Sequence, residues 1–201
     1  MAVLEKYYGR IDGGRLEPDR NEVALRLKTS RGYTNETVEK CKRELLSAVD
    51  CRYCAVRTEI RAEDDIIELC GFTVRSRDLA KSLEDCNQCF IMAVTLGAKV
   101  DMLLKRLEIL SVSEHYITDG LASAVAERAA DVAEAELRGA YECRPRFSAG
   151  YGDLPLEIQP LILNAIEARR YLGISLSDNL LMIPQKSITA FAGIKTHSKG
   201  C

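Results

Sequence analysis

Tryptophan is absent from this chain, and its 201 residues include two histidines, His115 and His197, and five prolines. No Ser–His–Asp or Cys–His arrangement is evident, so the sequence does not point to nucleophilic catalysis by its own side chains. Basic runs are missing too: 28 Lys and Arg stand against 30 Asp and Glu, for a net charge of −2. That balance argues against a nucleic-acid surface. No apolar run reaches the length of a membrane span, and the longest, Phe90–Leu96, is strand-sized. Glu5 and Lys6 fall too early for the apolar region of a signal peptide. A cytoplasmic protein without nucleic-acid or membrane partners is the expectation.

What is present fits one globular domain. Hydrophobic residues make up 47% and charged residues 29%, and the length suffices for a sizeable core. Eight cysteines stand at 41, 51, 54, 70, 86, 89, 143 and 201. Two Cys-x-x-Cys pairs, Cys51/Cys54 and Cys86/Cys89, invite a four-thiolate zinc site. The 31 residues between the pairs exceed the usual ribbon spacing, and neither pair has a Gly-rich knuckle. Buried thiols acting as small hydrophobes are expected, with no metal.

Residues 1–20 hold scattered glycines and mixed charges without a period, and read as an irregular arm. Val23, Leu25 and Leu27 fit a short strand or a helix. Asn35, with Thr34, caps a helix running to about Val49. Alternation predicts strands over Tyr53–Ile60 and Ile66–Val74, and a continuous apolar run predicts a central strand over Cys89–Thr95. Ser76 caps a helix over Arg77–Leu83. Gly97 opens another helix, and a long alanine-rich one runs from Ser113 to Arg138. After Pro160 a helix ends at Gly173, followed by strands over Leu180–Ile183 and Ile188–Ile194.

The most unusual stretch is 143–155, Cys-Arg-Pro-Arg-Phe-Ser-Ala-Gly-Tyr-Gly-Asp-Leu-Pro. Gly150 and Gly152 bracket Tyr151, which permits positive φ and uncovered backbone N–H groups. Arg146 carries a fork of donors suited to a carboxylate or phosphate. Such a loop either binds a small polar ligand or merely connects two helices with its arginines in water.

The segment from Arg146 through Gly150-Tyr151 resembles the Arg-x-x-x-Gly-Tyr segment of the activation domain of cobalamin-dependent methionine synthase. Gly173-Ile174-Ser175-Leu176-Ser177, then Met182-Ile183-Pro184 and Ser187, is similar to that family's second signature. The two occur in the family's order, and with weaker likeness upstream the match covers residues 20–195. It is similar to the free-standing form, which is encoded apart from the cobalamin-binding modules. The resemblance implies a single α+β domain at 21–195, with a central, mainly antiparallel sheet surrounded by helices and a tail at 196–201. Free-standing relatives carry a cysteine-rich tail there; this sequence has Cys201.

It further implies binding of S-adenosylmethionine and service to a cobalamin-dependent methionine synthase, positioning the methyl donor for reductive remethylation of cob(II)alamin. Cobalamin would sit on the partner's modules, and a flavodoxin or ferredoxin would supply the electron. The chain would be an accessory component without independent activity, needing no catalytic residue of its own. Arg146 would pair with the methionine carboxylate; Ser148, Ala149 and Gly150 would offer backbone groups; Tyr151 would pack on the ligand; Glu127 would favour its cationic end. Ser187 and Thr189 would steady the adjoining turn.

The family's fused domains carry an Asp-Trp-Thr-like stretch, for which this chain has only Asp12, and an aromatic late in the last strand, where Phe191 or Ala192 stands. Adenine and amino-group contacts should therefore differ. Two other readings remain: a docking scaffold that caps a corrinoid methyltransferase but binds S-adenosylmethionine weakly, and a cysteine-based redox or metal module.

Overall fold

The computed structural model describes residues 3–29, 35–139 and 141–196, so Thr34, His197 and Cys201 lie outside the described residues. In chain order, β1 (Val3–Arg10) leads through one 3-10 turn to α1 (Arg20–Arg26) and α2 (Glu36–Ala48). Next come β2 (Arg52–Glu63), β3 (Ile66–Leu69), β4 (Phe72–Arg75), α3 (Arg77–Ser82) and β5 (Cys86–Thr95). The second half holds α4 (Ala98–Leu110), α5 (Val112–Arg138), α6 (Gln159–Ala165) and α7 (Ala168–Leu172). Two short strands, β6 (Ser175–Leu176) and β7 (Met182–Ile183), pair with each other before β8 (Ser187–Lys195).

Six strands form one antiparallel sheet in the order β4-β3-β2-β5-β8, with β1 also paired to β2. β5 explains the architecture. Its apolar run does not alternate because both faces are covered: Phe90, Met92 and Val94 point to one side, Cys89, Ile91 and Ala93 to the other. On the first side α2, α4 and α5 supply Leu45, Leu104 and Leu121 among others; on the second α3, α6 and α7 supply Leu79, Ile162 and Leu172. The two cores are thus the two faces of one sheet, and the chain is the single α+β domain expected.

The alanines of α5 let neighbouring elements approach closely. At Gly120 a Cβ would lie 2.8 Å from Leu27 Cδ2, so a side chain there would have to displace the Leu27 methyl where α1 ends against α5. Ala129 and Ala133 are fully buried. Ala129→Leu is expected to cost about 1–3 kcal/mol through overpacking. Urea unfolding tests this; an unchanged midpoint would mean that the α5 seam has slack.

Several local expectations need correction. Within the stretch expected as an irregular arm, Val3–Arg10 is a strand whose Glu5–Arg10 stretch pairs residue by residue with Arg57–Arg52 of β2. Its side chains are mostly exposed, so no period shows; the backbone ladder makes it a strand. Of the two readings left open for Val23, Leu25 and Leu27, the helix holds: α1 carries the first two and Leu27 is its C-cap, and Asp19 caps its start by accepting from the N–H groups of Asn21 and Glu22. Ile66–Val74 is two strands, separated at Cys70 and Gly71, both at positive φ. The helix ending at Gly173 is α6 and α7, parted at Glu167, which is also left-handed. The caps at Asn35 and Ser76 stand as read from the sequence.

Cys51 belongs to the first core and Cys54 to the second, so that pair straddles the sheet. Burial pushes both thiols up to about 12, and pushes Cys89 up as well. Such thiols are protonated at neutral pH and poorly nucleophilic. Among the described residues, no cluster of three or more His, Cys, Asp or Glu could hold a metal ion, and no helix is long and apolar enough to cross a membrane.

Candidate functional site

Helix α5 presents one acidic row. Glu127, Asp131 and Glu134 follow at i, i+4 and i+7, which places all three on one face. Arg146 reaches that row from the following segment. Its Nη1 donates to Glu134 Oε2 at 2.5 Å and to Asp131 Oδ1 at 2.9 Å, while Nη2 lies 3.7 Å from Glu127 Oε2. Nε and Nη2 carry no hydrogen bond among the described residues. Burial draws the guanidinium's pKa down, but the hydrogen bond it donates to Asp131 and the charge of Glu134 outweigh it and the net shift is upward. Arg146 is a fixed cation with a side chain only 18% exposed, rather than a solvated loop residue.

Its position comes from the sheet. The segment before the loop runs beside β8: Phe147 and Phe191 exchange backbone hydrogen bonds at 2.9 and 2.8 Å, and the Arg144 N–H donates to Gly193 O at 2.8 Å. The helix–helix connection is therefore a short extra edge of the sheet, whose register against β8 shifts between Cys143 and Phe147. Arg144 leaves in another direction, donating through its guanidinium to Glu84 O at 2.9 Å and pairing with Asp85.

Arg146, Glu127 and the turn before β8 enclose a cleft of about 940 Å³. Of the loop, Ser148, Ala149 and Tyr151 line it, whereas Gly150 is not among the lining residues. The Gly150 N–H donates to Leu154 O at 2.9 Å and the Tyr151 N–H to Ser148 O at 3.3 Å. The loop thus spends on itself two of the N–H groups expected to be uncovered. Tyr151 is 67% exposed at the mouth. Glu127 pairs with Arg146 and, at 3.8 Å, with Arg26, instead of with Arg128 or Arg169.

The opposite wall holds residues the sequence did not single out as ligand groups. Gln159, at the start of α6, is 2% exposed; its amide donates to Thr189 Oγ1 at 2.9 Å and approaches Met182 Sδ at 3.2 Å. Lys186 Nζ is held by Asp119 Oδ1 at 2.8 Å and Ser123 Oγ at 2.9 Å. Ser187 does steady the turn, donating to Pro184 O at 2.7 Å; Thr189 instead holds Gln159. The row at 127, 131 and 134 was a readable signal, since helical spacing puts those acids together. Nothing in the sequence joins that row to Arg146.

Asp12 accepts from the Gly14 N–H at 2.8 Å and caps its own turn; it does not line the cleft. Phe191 and Ala192 are buried in the two opposite cores, so neither supplies a late-strand aromatic to the site.

The arrangement defines a class: an α+β domain that holds a ligand-sized cleft between one long helix, a sheet edge and an arginine–tyrosine loop. No protein-family model and no curated protein matches the chain. Among solved structures it is similar to the MetH reactivation domain, in a crystal structure bound to AdoHcy, with a TM-score of 0.73 and 14% identity. The match covers 99% of this chain and 81% of that one. At that identity the likeness establishes the fold, and the fold expected from the two sequence signatures is the one observed.

Proposed function

We propose that this chain binds S-adenosylmethionine in the cleft and serves as a reactivation component for a cobalamin-dependent methionine synthase. The observation that carries the reading is the state of Arg146. Its Nη1 is tied to Asp131 and Glu134, while Nε and Nη2, the latter 3.7 Å from Glu127, carry no hydrogen bond among the described residues and would offer the edge that takes a carboxylate bidentately. Glu127, which lines the cleft and is 41% exposed, would face the cationic end of the ligand. A cleft of about 940 Å³ suits a ligand of this size. Buried Gln159 and Thr189 add the few polar groups that orient such a ligand. The similar fold of the MetH reactivation domain, bound to AdoHcy in its crystal structure, supports the assignment.

When bound, S-adenosylmethionine supplies an activated methyl group for a corrinoid carried by the partner. The chain's own residues bind and orient: Arg146 holds the carboxylate, Tyr151 covers one side, and backbone groups of Ser148 and Ala149 border the rest. No side chain need act as acid, base or nucleophile. The corrinoid modules and a flavodoxin or ferredoxin as electron donor complete the proposed assembly.

Titration calorimetry with S-adenosylmethionine and S-adenosylhomocysteine tests the reading; saturable one-to-one binding of both is expected. Absence of binding would remove the reading and leave the docking scaffold, which one observation favours: Tyr151, Leu181 and Ile183 are large, apolar and 67%, 59% and 49% exposed, as a partner-covered surface would be.

A further inference from the structure

The loop that carries Tyr151 is held at its far end by a residue outside the cleft. Asp153 Oδ1 accepts from the Ser76 hydroxyl at 2.5 Å and the Asp78 N–H at 3.2 Å, and Oδ2 accepts from the Arg77 N–H at 2.9 Å. Asp78 answers in kind: its Oδ2 accepts from the Asp153 N–H at 3.1 Å. Ser76, meanwhile, accepts from the Leu79 N–H at 3.0 Å. The first three N–H groups of α3 are thereby satisfied, two of them by a residue some 75 positions away. Helix caps are normally local, because a nearby side chain loses little entropy in reaching the helix end. A distant cap gains its stability only when the segment carrying it is in place, so the cap and the loop order each other.

Gly152 supports this. Its φ is +54°, and a Cβ there would lie 2.0 Å from Asp78 Oδ2, so no side chain fits while these bonds are made. Leu154, on the other side, is 1% exposed in the second core. The loop is therefore pinned upstream through Phe147 on β8 and downstream through Asp153 and Leu154. The Ser76 hydroxyl first, then the Arg77 N–H, hold the Asp153 carboxyl below its usual range, so it is ionised at neutral pH. Neither Asp153, Asp78, Ser76 nor Gly152 lines the cleft.

We infer that the reciprocal Asp153–Asp78 clasp on α3 is the device that holds residues 148–152 against the cleft, and that Asp153 is a positioning residue for the ligand Tyr151 receives. The ligand half of this inference rests on the S-adenosylmethionine reading; the loop half does not. Two readouts separate them: amide hydrogen exchange at Gly150 and Leu154, whose N–H groups close the loop's internal turns, and calorimetric affinity for S-adenosylmethionine. Asp153→Ala is expected to speed exchange at both amides about tenfold and weaken binding about tenfold, in line with the loss of a strong cap. Asp153→Asn keeps one acceptor oxygen and should fall between, and it supplies the measurement if the alanine variant does not fold. Gly152→Ala removes no polar group yet should reproduce the same signature by forcing Asp78 away. Unchanged exchange in folded Asp153→Ala protein overturns the clasp. Faster exchange with unchanged affinity overturns the positioning role. Should wild-type protein bind no S-adenosylmethionine, the ligand assignment fails, and exchange alone decides whether the clasp orders the loop.

Discussion

Arg146→Ala is expected to weaken S-adenosylmethionine binding by about 2–4 kcal/mol, the usual cost of removing one member of a desolvated charge pair. It is expected to lower stability as well, by about 2 kcal/mol. The sequence suggested no such second loss, since a loop arginine with a solvated alternative contributes little. The structure changes that expectation, because Arg146 is the common partner of three carboxylates and Glu134 is only 11% exposed. Breaking a buried pair costs about 3–5 kcal/mol when the orphaned charge has no other partner. Here Arg138 remains on Glu134 at 2.5 Å, and Asp131 and Glu127 can turn to water, so the lower figure is appropriate. Arg146→Lys should restore part of the stability but little of the affinity, since an ammonium can meet the acids yet cannot present a fork. Arg144→Ala should leave both nearly unchanged, because its main partner is the exposed Glu84 carbonyl. Calorimetry and urea unfolding of the three variants give the comparison. Equal losses at Arg144 and Arg146 would mean that the loop binds nothing through its arginine.

Phe191→Ala should be the most destabilising single change in the sheet. The ring is fully buried in the core against α6 and α7, and the residue's backbone exchanges two hydrogen bonds with Phe147. Truncating a buried Phe costs about 3–5 kcal/mol, from lost transfer free energy plus the cavity left behind. For a domain of this size that lowers the thermal midpoint by roughly 10 °C. Because β8 carries the edge on which Arg146 is mounted, ligand affinity should fall as well, while Phe191→Leu should retain most of both. A shift below about 1 kcal/mol would show that the second core relaxes around the loss, contrary to the tight packing seen on that face.

These two residues mark how far the sequence could be followed. Phe191 lay in a stretch whose alternation announced a strand, and its burial follows from β8 being covered on both faces. Arg146 was singled out by residue type and by the company of Gly150, Tyr151 and Gly152. Of its acidic partners only Glu127 was named, through the family resemblance and not as a partner of Arg146, because the contact between 146 and the row at 127, 131 and 134 arises only when the chain turns back along α5 beside β8. The glycines were read as a means of exposing N–H groups. In the structure Gly152 makes room for Asp78, and the Gly150 N–H closes an internal turn. Glycine reports that a side chain is not tolerated; which neighbour forbids it is a tertiary fact.

What the sequence determined by itself is what depends on near neighbours along the chain. The caps at Asn35 and Ser76, the long small-residue helix and the doubly buried β5 all follow from local periodicity and local hydrogen bonding. The tertiary structure alone decided what depends on partners far away. β1 is a strand because β2 lies beside it, although its own side chains are mostly exposed. Cys70 and Glu167 take positive φ at the breaks they mark, a conformation that non-glycine residues seldom adopt on their own. Arg146 becomes a fixed, half-committed guanidinium only among three acids, and Asp153 becomes a helix cap only across the fold. Local energies of about 1 kcal/mol per residue suffice to choose a helix or a strand. The site is built from charges whose energies depend on burial and separation, and both are set by the packed sheet and helices.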